Sequence, residues 1–330
     1  MELQTMRIGV LGAGHIAGKV AGTLAQMKEV RCHAVAARDL WRAEAFAGEH
    51  GFSKAYGSYD ELVSDPDVDL VYVATPHNCH YPHVKLALEH GKAVLCEKAF
   101  MMNAREAEEL TALAQSKNLL LAEAIWTRYM PFSRTIKEIV ESGVIGCARM
   151  LSANLGYAVD WKERLIKPEL GGGALLDLGV YCLNFASMLF GDEFTEIKTA
   201  CVKGESGVDM QETIALTYAD GRMTNLHATA WCATDRQGVV SGDKGYLVVD
   251  NINNPTSATA WTRFGEQLGH WEAPPRISGF EYEFLACKRA LEAGRCEPEE
   301  MPHAESVRMM RLMDRLRAEW GVVFPGDEPR

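Results

Sequence analysis

The sequence predicts an α/β chain: a doubly wound parallel sheet first, then an α+β part built on a large, mostly antiparallel open sheet. Three observations predict it. Short apolar runs alternate with helical patterns over residues 1–124, as in a sheet covered by helices on both faces. From Cys147 onward the pattern changes to long β-type segments broken by Asp-Gly turns. The chain has 330 residues, enough for two separate cores.

The first apolar run, residues 6–11, has no polar face, as a buried parallel strand requires. It leads into Gly12-Ala13-Gly14-His15-Ile16-Ala17, a G-x-G-x-x-A turn, and a helical pattern to about Met27. Gly12 permits the tight turn, and Gly14 lets the backbone approach a pyrophosphate at the helix N-terminus, where His15 and Ile16 begin the helix. Ala17 keeps helix and strand close. A second strand over residues 31–37 completes the strand, turn, helix and strand that a dinucleotide site needs.

Further parallel strands read at residues 70–74, 93–96 and 119–124, with helical patterns at 40–50, 81–90 and 104–117. Gly91 is placed to cap the second of these helices. After Pro131 a helix runs to about Ser142. Strands then read at 147–155, 196–202, 209–218, 223–233, 246–250 and 258–263, with Asp220-Gly221 and Asp243-Lys244-Gly245 as turns. A helix over 174–190 interrupts them, and two more, 280–293 and 304–320, close the chain. The predicted division is a nucleotide-binding domain over residues 1–124 and a substrate-binding, dimerising domain over residues 125–330.

The end of the second strand bears on the cofactor. An NAD site places Asp or Glu about 20 residues beyond the glycines, to bond the ribose 2′-hydroxyl. Here Ala37 and Arg38 stand at that point, with Arg42 a helical turn later. A guanidinium grips a 2′-phosphate bidentately where a carboxylate would repel it. NADP is predicted in preference to NAD.

Composition narrows the function classes. A net charge of −11 with no basic run argues against a nucleic-acid partner. No apolar stretch is expected to span a membrane, and the N-terminus lacks a secretory pattern. Nine cysteines without paired spacing suit buried thiols in a reducing cytoplasm.

Parallel-sheet enzymes bind ligands beyond the carboxyl ends of their strands. Thr75-Pro76-His77-Asn78 and Glu97-Lys98 fall at two such ends. The first segment would edge the cofactor, and Lys98 would project toward the nicotinamide. The stretch ATPHNCHYPHVKLALEHGKAVLCEKA, residues 74–99, resembles a signature of the glucose–fructose oxidoreductase/inositol dehydrogenase (Gfo/Idh/MocA) family, in which a Lys follows Cys-Glu. LGGGALLDLGVYCLNF, residues 170–185, is similar to that family's second-domain motif. Two positions depart from the family pattern: Ala99 replaces the Pro after the Lys, and Tyr181 replaces the usual His. With residues 123–131 and the Ala37-Arg38 end, Tyr181 resembles the dimeric dihydrodiol dehydrogenase branch, which includes NADP-dependent D-xylose 1-dehydrogenases.

The resemblance implies a Rossmann first domain and a catalytic group of Lys98, Asp177 and Tyr181, with Trp126 and Arg128 walling the substrate pocket. Asp177 and Tyr181 are four apart and would share one helical face. A Tyr starts from a pKa of about 10, and one cation at about 4 Å supplies roughly 4 kcal/mol at an effective dielectric near 20, enough to bring it into range. His77, His80 and His83 mimic metal spacing, but the family uses no metal, and His80 is expected to bond locally at its helix start beside the cofactor.

Trp161, Trp231, Trp261 and Trp271 could line a sugar-sized pocket, as Trp161 is taken to do, or form sheet face and dimer interface. Leu216, Tyr218, Leu226, Ala228, Trp231, Val248 and Trp261 are expected to supply a sheet-to-sheet homodimer contact. The reading is an NADP-dependent oxidoreductase acting on the CH–OH group of a sugar or cyclic diol. The alternatives are NADPH-dependent reduction of a ketose or dicarbonyl, and a non-enzymatic dinucleotide sensor. A sensor has no need of a general base, so the set Lys98, Asp177 and Tyr181 favours an enzyme.

Overall fold

The computed structural model describes residues 5–327. The chain forms two compact units. One comprises the chain to Tyr129 together with Arg276–Arg311, and the other comprises Met130–Pro275 and the chain from Leu312.

In the first unit, β1 (Met6–Leu11), α1 (His15–Leu24), β2 (Val30–Ala36), α2 (Leu40–His50), β3 (Lys54–Tyr56), α3 (Tyr59–Ser64), β4 (Leu70–Val73), α4 (His80–Glu89), β5 (Ala93–Glu97), α5 (Ala104–Lys117) and β6 (Leu121–Ala124) alternate in order. The six strands are all parallel, in the order β3-β2-β1-β4-β5-β6. Every residue of β4, β5 and β6 is buried, which is why β4 and the start of β5 read as apolar runs, while β5 ends in the buried Glu97 and β6 carries the buried Glu123. Local signals set the helix ends. Ser58 and Glu61 form a capping box at α3, and Asn103 accepts the Glu106 N–H at α5. Strand β3 escapes sequence reading because three residues carry no period.

The compact units group the chain differently from the predicted division at residue 124. Residues 125–330 do not fall in one unit: the α9 helix (Glu281–Glu292) returns to the first unit, where Phe284, Cys287 and Ala290 pack among Leu70, Tyr72, Leu95 and Ala122. An amphipathic helix shows that it must bury a face, not which core takes it.

The second unit holds α6 (Pro131–Glu141), β7 (Ala148–Gly156), α7 (Glu163–Ile166), a π turn (Leu175–Gly179), α8 (Val180–Phe190), β8 (Phe194–Lys203), β9 (Asp209–Tyr218), β10 (Met223–Thr229), β11 (Gly238–Gly242), β12 (Gly245–Val249), β13 (Ser257–Thr262) and β14 (Gln267–Glu272). The closing helix α10 (His303–Trp320) runs from the first unit into the second. The eight strands lie in the order β14-β13-β12-β11-β7-β10-β9-β8, with β7 and β10 parallel and the other neighbours antiparallel. Strands β11 and β14 were not expected: one is bounded by glycines, and the other mixes polar and apolar residues with no buried position.

Alternation along β9 and β10 turns Ile214, Leu216, Tyr218, Leu226 and Ala228 into the core beside α8. Those last four were expected at a dimer contact and are not available to one. The opposite face carries half-buried Val239, Tyr246, Val248 and Trp261 with exposed Met150 and Met223. The segment Pro168–Phe190 has a mean hydropathy of 1.5 over its most apolar window and is long enough to cross a membrane, contrary to expectation. Its window is 89% buried inside the protein, so it reads as a core helix.

Candidate active site

The predicted cofactor residues gather at the carboxyl edge of the first unit's sheet. Gly12 follows β1 with φ of +106°, and a Cβ there would stand 2.9 Å from the Ala74 carbonyl at the end of β4. Only glycine meets both conditions. Gly14 is the N-cap of α1 and has no side chain to cap the first-turn N–H groups; a Cβ added to it would meet nothing within 4 Å. That leaves a helix N-terminus open to an anion. His15 is exposed there, and Ile16 packs partly on the core.

Ala37 is buried at the end of β2, and Arg38 and Arg42 are exposed just beyond it. Among the described residues neither guanidinium has an ion-pair partner. Both lie near Tyr59, whose hydroxyl burial pushes up and the two arginines pull down.

Beyond β4, Pro76 and Asn78 are exposed, and Thr75 Oγ1 meets His83 Nδ1 at 3.0 Å. His77 Nε2 faces the Lys98–Ala99 peptide, 3.2 Å from the Lys98 carbonyl and 3.3 Å from the Ala99 nitrogen. That peptide is cis. His80 is fully buried, with Nε2 2.9 Å from the Thr75 carbonyl and Nδ1 near those of Ala99 and Phe100. Burial lowers its pKa. The three histidines thus serve local bonds and do not converge on one point.

Lys98 is half-buried at the end of β5. Glu97, expected to touch the cofactor, turns inward: it accepts from the Tyr72 hydroxyl at 2.5 Å and from the Lys98 N–H at 3.2 Å. Glu123 and Glu283 are also buried in this unit. Burial pushes Glu123 up to about 7, and burial with the Glu97 charge holds Glu283 well above its usual range.

Trp126 and Arg128 occupy a 3₁₀ turn directly after β6. The Trp126 ring stacks on Phe280, centroids 4.4 Å apart, and Arg128 reaches Glu305 at 3.3 Å. Phe280 sits in a loop tied by Glu281, whose carboxylate accepts from the N–H groups of Ile277, Ser278 and Gly279.

Asp177, Tyr181 and Trp161 belong to the second unit. The expected regular helix over 174–190 begins instead as the π turn, and Asp177 and Tyr181 straddle its junction with α8. Such turns recur at functional sites. Arg164 forks onto Asp177 at 2.8 and 3.1 Å. Tyr181 is buried, while Trp161 is 74% exposed, with Lys162 Nζ 5.4 Å from its ring centroid. Asp209 accepts the Leu175 N–H at 2.6 Å.

Sequence reading missed Arg164, Asp209, Phe280 and Glu305. One signal was available: strict alternation places the acid Glu212 among Met210, Ile214 and Leu216, so a carboxyl had to lie in the core.

Residues 6–124 match the oxidoreductase family with an NAD-binding Rossmann fold (GFO/IDH/MocA), and residues 133–248 match the C-terminal domain of the same family. The chain belongs to the GFO/IDH/MocA family. It is an oxidoreductase. The mouse trans-1,2-dihydrobenzene-1,2-diol dehydrogenase is 36% identical over 98% of this chain and 99% of its own. The Xenopus tropicalis enzyme of that name is 35% identical over 96% and 98%. A 3-ketoreductase from Actinomadura kijaniata, solved with NADP and TDP-benzene, superposes with a TM-score of 0.87 at 26% identity, over 95% of this chain and 97% of that one.

Proposed function

We propose that this family member is an NADP-dependent dehydrogenase that oxidises the CH–OH group of a cyclic diol or sugar. The carrying observation is the carboxyl edge of the first sheet. There the open Gly14 helix end suits a pyrophosphate, and the exposed Arg38 and Arg42 suit a 2′-phosphate. The substrate class rests on the full-length likeness to dihydrodiol dehydrogenases.

The bound cofactor would accept hydride at nicotinamide C4. Tyr181 would take the proton of the substrate hydroxyl, and Lys98, at the end of β5, is the cation that the family resemblance assigns to the same reaction. Asp177, oriented by the Arg164 fork, would fix the substrate hydroxyl. The likeness to a 3-ketoreductase favours a second reading, in which the same groups run in reverse and Tyr181 protonates a carbonyl.

Absorbance at 340 nm tests both readings with NADP and NAD against D-xylose, D-glucose, inositol and the trans-dihydrodiol of benzene, and with NADPH against ketoses and dicarbonyls. Turnover with a diol or sugar and NADP supports the first reading. Turnover with carbonyls alone supports the second, and a preference for NAD overturns the reading of Arg38. A homodimer through the open face carrying Tyr246, Val248 and Trp261 belongs to the same proposal, as does a cytoplasmic setting in which all nine thiols stay free. A monomeric mass by light scattering at micromolar concentration would remove the dimer.

A further inference from the structure

The glycines of the second-unit motif leave room for two acids from β9. A Cβ on Gly173, where φ is +120°, would lie 2.3 Å from Asp209 Oδ1. A Cβ on Gly179, at an ordinary helical φ of −58°, would lie 2.7 Å from Glu212 Oε1. These glycines flank the start and the end of the π turn that carries Asp177. Asp209 also accepts the N–H of Leu175, the first residue of that turn, so a strand side chain supplies the missing helix cap. Glu212 is fully buried, and among the described residues neither of its oxygens has a hydrogen-bond partner.

We propose that Asp209 and Glu212 are positioning residues: one caps the π turn at its start, the other wedges it at its end, and together they hold Asp177 and Tyr181 in register. The inference rests on the reading of Asp177 and Tyr181 as catalytic. The groups facing the pair are Arg317 from α10, Cys182 from α8 and Cys201 from β8. Burial pushes Asp209 up to about 7 and Glu212 well above its usual range, the Asp209 charge adding to the second effect. Both causes favour the protonated acids, and Glu212 acts on the turn by the space it fills. A wedge of that kind acts through shape, and shape can be restored elsewhere.

The test is a set of variants of the full chain, assayed with the best substrate of the panel above. Asp209→Asn keeps the size of the cap and removes its charge. It should lower kcat at least tenfold, leave KM for NADP within twofold, and speed hydrogen exchange of the 173–181 segment at least tenfold. Gly179→Ala and Glu212→Ala should each lower kcat about fivefold or more. The double variant should recover most of that loss, because the alanine methyl occupies space that Glu212 vacates. Wild-type kcat in folded Asp209→Asn, or additive losses in the double variant, would overturn the proposal. If Asp209→Asn does not fold, the Gly179 and Glu212 cycle decides alone. Tyr181→Phe is the control: normal turnover there defeats the catalytic reading itself and not the clamp, which segment exchange still reports.

Discussion

Tyr72 and Glu97 stand on adjacent strands, and the Tyr72 hydroxyl donates to Glu97 Oε1 at 2.5 Å inside the first unit. The other Glu97 oxygen takes the N–H of Lys98. The carboxylate next to the candidate catalytic lysine is thus anchored in the core, and Phe284 braces the tyrosine ring edge-on at 5.5 Å. Tyr72→Phe would leave that buried carboxylate a donor short. A hydrogen bond to a charged group contributes about 1.5–3 kcal/mol, so the variant should lose about 2 kcal/mol in urea unfolding. An unchanged midpoint would mean that Glu97 finds another donor.

Arg38 should set cofactor preference. Arg38→Ala, or Ala37→Asp, removes or opposes a charge-assisted contact of about 1.5–3 kcal/mol, a loss of about 10- to 100-fold in NADP preference over NAD. Fluorescence titration with NADPH and NADH measures it. Equal losses for both cofactors would show that Arg38 supports the loop and does not read the phosphate.

Tyr181→Phe should lower kcat by at least about 10²-fold with KM for NADP nearly unchanged, since only the proton step loses its group. Lys98→Met should lower kcat comparably, with KM for NADP as the second readout. A Tyr181→Phe enzyme with normal turnover moves the proton transfer to another group.

The buried Glu123 makes stability depend on pH. Burial raises its pKa from 4.5 to about 7, so between those values the folded chain keeps a proton that the unfolded chain releases. Stability from this group is full at low pH and falls as pH rises through that window. A shift of that size corresponds to about 3 kcal/mol. Glu123→Gln does not titrate, so its stability relative to the parent should rise by up to that amount between about pH 5 and pH 8. Parallel curves for parent and variant would place the carboxyl in an ordinary environment.

Much of this molecule was legible from residue order because the relevant physics is local. The glycine turn after β1, the fully apolar strand β4, the apolar run that opens β5, and the Asp220-Gly221 hairpin each carry their own signal, set by backbone freedom or by a strand buried on both faces. Arg38, at the end of β2, was also readable, since its place follows from a count along the chain. What the sequence could not decide was which surfaces meet. Alternation puts Leu216 and Tyr218 on one face of β9, yet only packing against helices makes that face the core and leaves Val248 and Trp261 outside. Amphipathicity in α9 does not say that its partner is the first sheet, more than 150 residues back in the chain. The space over Gly173 and Gly179 is likewise empty in the sequence. Tertiary structure fills it with Asp209 and Glu212, because carboxyls distant in the chain can lie in a core only where the backbone opposite leaves them room.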